Sequence, residues 1–321
     1  MKGVSVIVCC YNSSKRLPAT LQHLAAQQVN SNIEWEIIIV NNASTDNTEV
    51  VAAQNLEPYK PSDLDFSIVQ EPKPGLSNAR KTGVKHAKYD YLVFCDDDNR
   101  LAENYINTAY RLIDATETIG AIGGYSTPVA DIKLPNWIFD YEASYAFGKQ
   151  GNTTGEVTER GYVCGAGMVT RKKIFEITVN ERLPNILSDR TGKDLSSGGD
   201  YEYCQRLMLQ GYSILYDESL VFQHYIPEER LTENYRKRLF QAFDESGRII
   251  GEYREAVKLK KQTRNNKITL LRVALRDVRR NLLRLHKLQP ETCRILFYFF
   301  NIGYKNRTDL KIIRHFYHSH R

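Results

Sequence analysis

Four apolar runs of strand length, separated by stretches of helical spacing, fix most of what the first hundred residues can become. They are VSVIVC at 4–9, WEIIIV at 35–40, FSIV at 66–69 and YLVFC at 91–95. Leu17, Leu21 and Leu24 recur at helical spacing behind Ser13-Ser14, which are expected to cap that helix. Ser44-Thr45-Asp46 is expected to cap a helix over 47–54, and Pro74-Gly75-Leu76-Ser77 to turn into one that reaches about Ala87. This alternation predicts an α/β fold, a mostly parallel sheet covered by helices on both faces. Ligands bind such sheets outside the carboxyl ends of the strands. Three polar clusters fall at those ends: Tyr11-Asn12, Asn41-Asn42 and Asp96-Asp97-Asp98.

Three adjacent carboxylates repel one another, so their position asks for a purpose. In an extended segment Asp96 and Asp98 point the same way and Asp97 the other. Two such oxygens suit Mg²⁺ or Mn²⁺, which are held by one or two side chains plus phosphates and water. The competing reading is a solvated turn in which Asp98 or Asn99 caps a helix beginning near Ala102. Downstream, GGDYEYCQRLMLQGY reads as a glycine turn and a helix with Tyr203, Leu207 and Leu209 inward, ending at Gly211. Asp200 stands at its N-terminus, where it serves either as a cap or as a general base. His224 closes the run LVFQHY and is the best available nitrogen ligand to join Asp98.

These segments, VSVIVCCYN, VNNASTDNT, EPKPGLSNARKTGVKHAKYDYLVFCDDDN and GGDYEYCQRLMLQGY, in this order and spacing, resemble the family-2 glycosyltransferases of GT-A fold over about residues 3–226. The resemblance implies a Rossmann-like sheet and an inverting transferase. Its donor would be a nucleotide-sugar, usually a UDP-sugar, and its product a glycan such as a surface polysaccharide. It assigns Tyr11 and Cys9 to the nucleobase, Asn41 to the uracil imide, and Arg80, Asp96 and Asp97 to the nucleotide. Asp98 becomes the metal ligand with His224 beside it, and Asp200 the base. Gly199 stands where the family motif has its first acid, while Glu202 keeps the last. Gly165, Gly199, Glu202 and Trp137 are the residues expected near the donor or acceptor sugar, Trp137 having a core anchor as its alternative. The stretch LSDRTGKDLSSGG before Asp200 is expected to be a lid. A nucleotidyltransferase would show a glycine-rich phosphate loop after the first strand, and CCYNSSKRLP lacks one. A relative that lost catalysis needs a broken site, and the acids are present.

Charge divides the chain. Residues 225–321 hold 23 Lys/Arg against 10 Asp/Glu, and residues 1–224 hold 21 against 28. A catalytic domain at 1–226 (a nucleotide half to about 100, an acceptor half beyond) and a basic helical region at 227–321 are expected. In the latter, Leu271, Leu275, Val278, Leu282 and Leu285 share a face beside Arg272, Arg276, Arg279, Arg280 and Arg284. That stripe either docks on an anionic membrane, where lipid-linked acceptors reside, or packs on the catalytic domain or a second copy as a homodimer. No nucleic-acid fold accompanies the charge. Cysteines 9, 10, 95, 164, 204 and 293 have no C-x-x-C spacing, and the N-terminal run reads as a strand and not a signal peptide. A cytoplasmic protein, peripheral on the inner membrane face, is expected.

Overall fold

The computed structural model describes residues 1–58, 64–187, 189–191, 195–282, 284–304 and 307–319. The first half alternates as expected: β1 (Val4–Cys10), α1 (Leu17–Ala25), β2 (Trp35–Asn42), α2 (Thr48–Leu56), β3 (Phe66–Glu71), α3 (Leu76–His86) and β4 (Tyr91–Asp96). The four strands run parallel in the order β3-β2-β1-β4. They are followed by β5 (Asn99–Leu101), α4 (Tyr105–Asp114), β6 (Ile119–Val129), β7 (Gly155–Glu156), β8 (Met168–Arg171), α5 (Lys172–Thr178), α6 (Gly199–Gln210) and β9 (Ser213–Tyr225). Beyond β4 the sheet continues β8-β6-β9-β5, with β7 on β9. This outer half is mixed: β8 is antiparallel to β4 and β6, β6 and β9 are parallel, and β5 and β7 run against β9. Parallel neighbours need helical crossovers, and helices link successive neighbours only in the first four strands.

The sheet buries both faces. Val6, Val8, Ile37, Ile39 and Val93 pack on one side with Leu17, Leu21 and Leu24 of α1 and Tyr105 and Ile106 of α4. The alternate residues Ile7, Ile38, Val40, Leu92 and Phe94 pack on the other with α3, α5 and α6. Fully burying one such aliphatic side chain contributes about 1.5–3 kcal/mol, which is why the runs are continuous rather than alternating.

Two local expectations change. Ser13 does not cap α1 through its side chain: its carbonyl accepts from the Leu17 amide (2.9 Å) and its hydroxyl donates to Asp97. Nor do Asp98 and Asn99 cap a helix. Residues 99–101 instead pair with β9, Asn99 opposite His224, and α4 starts only at Tyr105. Asp46 does accept from the Thr48 amide at 3.0 Å.

After Tyr225 every element among the described residues is helical: α7 (Glu233–Arg280), broken at Asn266, then α8 (Pro290–Phe300) and α9 (Thr308–His318), with short 3-10 turns. Leu209 of α6 joins Tyr253, Ala256, Ile295, Phe297, Ile313 and Phe316 in their shared core. Beneath it lies a buried ion pair, Arg206 with Glu202 at 2.6 Å, both wholly inaccessible. Arg206 also donates to the carbonyls of Thr178, Leu183 and Pro184 and to the Tyr253 hydroxyl, and its guanidinium lies 4.7 Å from the Phe316 ring centre. Glu202 accepts from the Ile186 and Leu187 amides and from Tyr253. Removing one partner of a buried pair leaves an uncompensated charge, so Glu202→Ala is expected to lose about 3–5 kcal/mol of unfolding free energy. Urea denaturation followed by circular dichroism checks this.

Candidate functional site

The strand ends do converge. Cys9, Tyr11, Arg80, Asp96, Asp97, Asp98, Gly165, Asp200 and His224 all line one cavity of about 530 Å³. The turns after β1 and β2 are set by two non-glycine residues in left-handed backbone, Asn12 (φ 48°) and Ala43 (φ 53°). Such conformations persist only where the surroundings hold them. Here the Asn12 side chain accepts from the Thr45 amide (2.8 Å) and the Asn12 amide donates to Ser44 (3.1 Å).

The three aspartates have separate partners. Asp97 turns back to Arg16, which grips it through Nε and Nη2 at 2.7 Å each, and accepts from the Ser13 hydroxyl. Its charge is thereby paired within the loop, at the wall of the same cavity. Asp98 lies 3.5 Å from His224 Nε2 through Oδ1 and 3.1 Å from Arg230 Nη1 through Oδ2. Burial opposes its ionisation, yet His224, then Arg230 and Arg16, hold its carboxyl well below the usual range. Burial pushes Asp96 up to about 6, with Arg80 opposing and Asp98 and Asp200 adding to the rise.

Asp98 and His224 offer a carboxylate and an imidazole, and His224 Nδ1 is buried without a partner. This donor set fits Mn²⁺ or Mg²⁺ with phosphate and water completing the shell. Among the described residues no group of three His, Cys, Asp or Glu forms a protein-only metal cage. Arg230 has to share Asp98 with any ion that enters.

Asp200, at the N-terminus of α6, accepts from Arg80 Nη1 (2.5 Å) and from the Gly165 amide (2.7 Å). A side chain at Gly165 would strike both Arg80 and Asp200, so glycine is required for that approach. Burial works against the charge on Arg80, but Asp200, Asp189 and Asp96 together keep the guanidinium protonated far above neutrality.

Other expected residues lie elsewhere. Asn42, not Asn41, is at the cavity wall. Asn41 sits behind it, its amide donating to Gln70 (3.1 Å) and its Oδ1 buried without a partner. Glu202 is corrected outright: it faces inward to Arg206 and Tyr253 and touches no cavity. Trp137 belongs to a hydrophobic cluster around Ile138 and Tyr145, with the Arg236 guanidinium 5.0 Å from its ring centre, so it is an anchor and no open sugar platform. Gly199 borders a small adjoining recess. The expected lid falls partly on residues 188 and 192–194, outside the described ones. Sequence reasoning missed Arg16, Arg230 and Asp189. Arg16, five residues beyond Tyr11 in a strand-end loop, had a usable signal; the other two sit in ordinary polar stretches.

Against known proteins, the model of the family described as "Glycosyl transferase family 2" matches residues 5–178, more than half of the chain. Glycosyltransferase GlyG of Streptococcus pneumoniae is 33% identical over 123 residues, 38% of this chain and 38% of its own. Poly(ribitol-phosphate) beta-N-acetylglucosaminyltransferase TarP of Staphylococcus aureus is 26% identical over 214 residues, 63% of this chain and 62% of its own. The chain thus spans between 38% and 62% of the length of these two relatives. The mannosyltransferase PcManGT of Pyrobaculum calidifontis, solved with GDP-Man and Mn²⁺, superposes with a TM-score of 0.54 at 21% identity, over 76% of this chain and 64% of that one. That likeness establishes the fold as GT-A. With its sheet, its crevice and the matched half of its sequence, the chain belongs to glycosyltransferase family 2.

Proposed function

We propose that the protein is an inverting glycosyltransferase that moves a sugar from a nucleotide donor, first of all a UDP-sugar, to a hydroxyl of a glycan acceptor in surface polysaccharide synthesis. The observation that supports it most is that Asp98 with His224 and Asp200 with Arg80 line the same cavity of about 530 Å³. In this reading residues 1–226 are the catalytic domain, and 227–321 a helical region resting on it. Tyr11 stacks the base beside Cys9, and the unpartnered Asn41 Oδ1, buried off the cavity wall, would meet an imide N–H only once its side chain turns to the cavity. Asp96 and Arg80 meet the nucleotide, Arg80 with a fork suited to its oxygens. A divalent cation on Asp98 and His224 offsets the charge that collects on the departing diphosphate. Asp200 takes the acceptor's proton as the hydroxyl attacks opposite the leaving group. Both of its oxygens have partners, so the acceptor replaces one of them. TarP's poly(ribitol-phosphate) acceptor supports a polymeric glycan here, and the Mn²⁺ held by PcManGT supports the cation.

The basic stripe supports attachment to the inner face of a membrane. Leu271 and Val278 are half-buried, but Leu275, Leu282 and Leu285 are 58%, 65% and 59% exposed, and Arg272, Arg276, Arg279, Arg280 and Arg284 are exposed with them. Among the described residues no helix is long and apolar enough to cross a membrane, so this is surface docking. Each cation near anionic lipid adds about 1 kcal/mol, screened over a Debye length.

Two measurements test these readings. In donor turnover and UDP calorimetry with Mn²⁺, Asp200→Asn is expected to keep UDP affinity and lose at least about 10² in turnover. Asp98→Asn is expected to lose Mn²⁺-dependent UDP binding. A folded Asp98→Asn protein with unchanged Mn²⁺-dependent affinity sinks the metal assignment, and an active Asp200→Asn protein makes Asp200 a helix cap. In flotation with anionic liposomes the parent is expected to rise at low salt and not at high salt. Replacing Arg272, Arg276, Arg279 and Arg280 with Gln is expected to abolish the rise; a parent that stays at the bottom in both salts ends the membrane reading.

A further inference from the structure

Gly199 is the first residue of α6 and, unlike Gly198 before it (φ 124°), has no left-handed backbone to explain it. What excludes a side chain is space. A Cβ there would fall within 3.0 Å of both oxygens of Asp189, closer than real Cβ contacts come. Asp189 comes from ten residues upstream, is 8% exposed, and has both oxygens engaged. Oδ1 accepts from the Gly199 amide (2.9 Å) and Oδ2 from the Ser77 hydroxyl (2.6 Å). Ser77 stands in the first turn of α3, three residues before Arg80, and Arg80 returns to Asp200. A closed circuit results: Asp189, Ser77, α3, Arg80, Asp200, Gly199 and back to Asp189.

We propose that Asp189, whose carboxylate fills the space a side chain at 199 would need, is the positioning residue which fixes Asp200 and Arg80 for transfer. The proposal rests on the reading of Asp200 as the base. Asp189 completes the amide at the mouth of α6, where the helix dipole favours an anion. It adds a second negative charge to the surroundings of Arg80 without touching the Arg80–Asp200 contact. It ties α3 to α6, so the distance between Arg80 and Asp200 does not depend on that one ion pair. A misplacement of about 1 Å in such a pair costs about 10² in rate, which is the scale of effect Asp189 prevents.

The same geometry predicts an exchange. An acid placed at 199 has room only once the carboxylate at 189 is gone, and then occupies its space. Four proteins test this: the parent, Asp189→Ala, Gly199→Asp and the double variant. Their denaturation midpoints, UDP affinity with Mn²⁺, and kcat and KM for donor turnover are compared. Asp189→Ala is expected to lose about 10² in kcat, more than any loss of UDP affinity that follows through Arg80. Gly199→Asp alone is expected to lower the denaturation midpoint. The double variant is expected to recover that midpoint and at least about ten-fold of the lost kcat. Two results overturn the proposal: Asp189→Ala with the parent's kcat, or a double variant that regains stability but no kcat, which makes Asp189 a structural clasp. A double variant with no recovery in either overturns the exchange itself. Should the parent bind no UDP and turn over no nucleotide-sugar, the proposed function fails on its own, and the midpoints still decide whether 189 and 199 share one carboxylate space.

Discussion

The buried pair between Glu202 and Arg206 decides where α6 lies, and α6 decides where Asp200 lies. Two charges withdrawn from water cost more than their attraction returns unless every remaining donor and acceptor is satisfied. Here they are met by carbonyls from the segment after α5, amides at 186 and 187, and a hydroxyl from α7. A helix held this way from three directions has little freedom to slide or turn. The same contacts fasten the C-terminal helices to the sheet domain, since Tyr253 and Phe316 both meet Arg206. The basic tail is therefore part of the framework behind the crevice, and only its outer face is left for other surfaces.

Much of this was legible in the sequence, and the failures are physical ones. The four parallel strands could be read because strands buried on both faces are written as continuous apolar runs, and the cavity then follows from where such runs end. Glu202 was misplaced because nearness in sequence stood in for nearness in space. At 3.6 residues per turn, position 202 lies about 200° around the helix from position 200, so a helix that offers Asp200 to the crevice buries Glu202. For Asp97 the expected separation from its neighbours rested on an extended segment, but β4 ends at Asp96 and residues 97 and 98 form a turn; its partner Arg16 required the fold. Asp189 and Arg230 had no sequence signal. Their roles are made by contacts with residues far along the chain, such as Arg230 with Asp98 across 132 positions.

In the tail, periodicity identified a stripe but not what covers it. Leu271 turns inward toward the core of α8 and α9, while Leu275, only four residues on, stays exposed. The helix ends at Arg280, and Leu282 and Leu285 lie beyond it, Leu285 in a 3-10 turn, so a stripe drawn on one ideal cylinder no longer meets a single neighbour. Its apolar face is divided between the protein and the outside.

The crevice carries both signs of charge in equal number. Five aspartates line it (96, 97, 98, 189 and 200), and so do five arginines (16, 80, 190, 230 and 254). Three of the aspartates lean on arginines, Asp97 on Arg16, Asp98 on Arg230 and Asp200 on Arg80, while Asp189 rests on the Ser77 hydroxyl and the Gly199 amide. A cavity balanced in this way gains little from a bare anion, which would compete with the carboxylates for the arginines, or from a bare cation, which would compete with Arg230 for Asp98. A divalent cation entering with a diphosphate leaves the sum unchanged. In the function proposed, a cation at Asp98 would stand in place of Arg230, and that guanidinium would be left to the phosphate oxygens, for which its planar fork is suited. The triplet of acids at 96–98 is thus tolerable in the fold because Arg16 and Arg230 pair with Asp97 and Asp98, and in the function proposed here the arginines of the crevice are the groups that the donor's phosphates would take over.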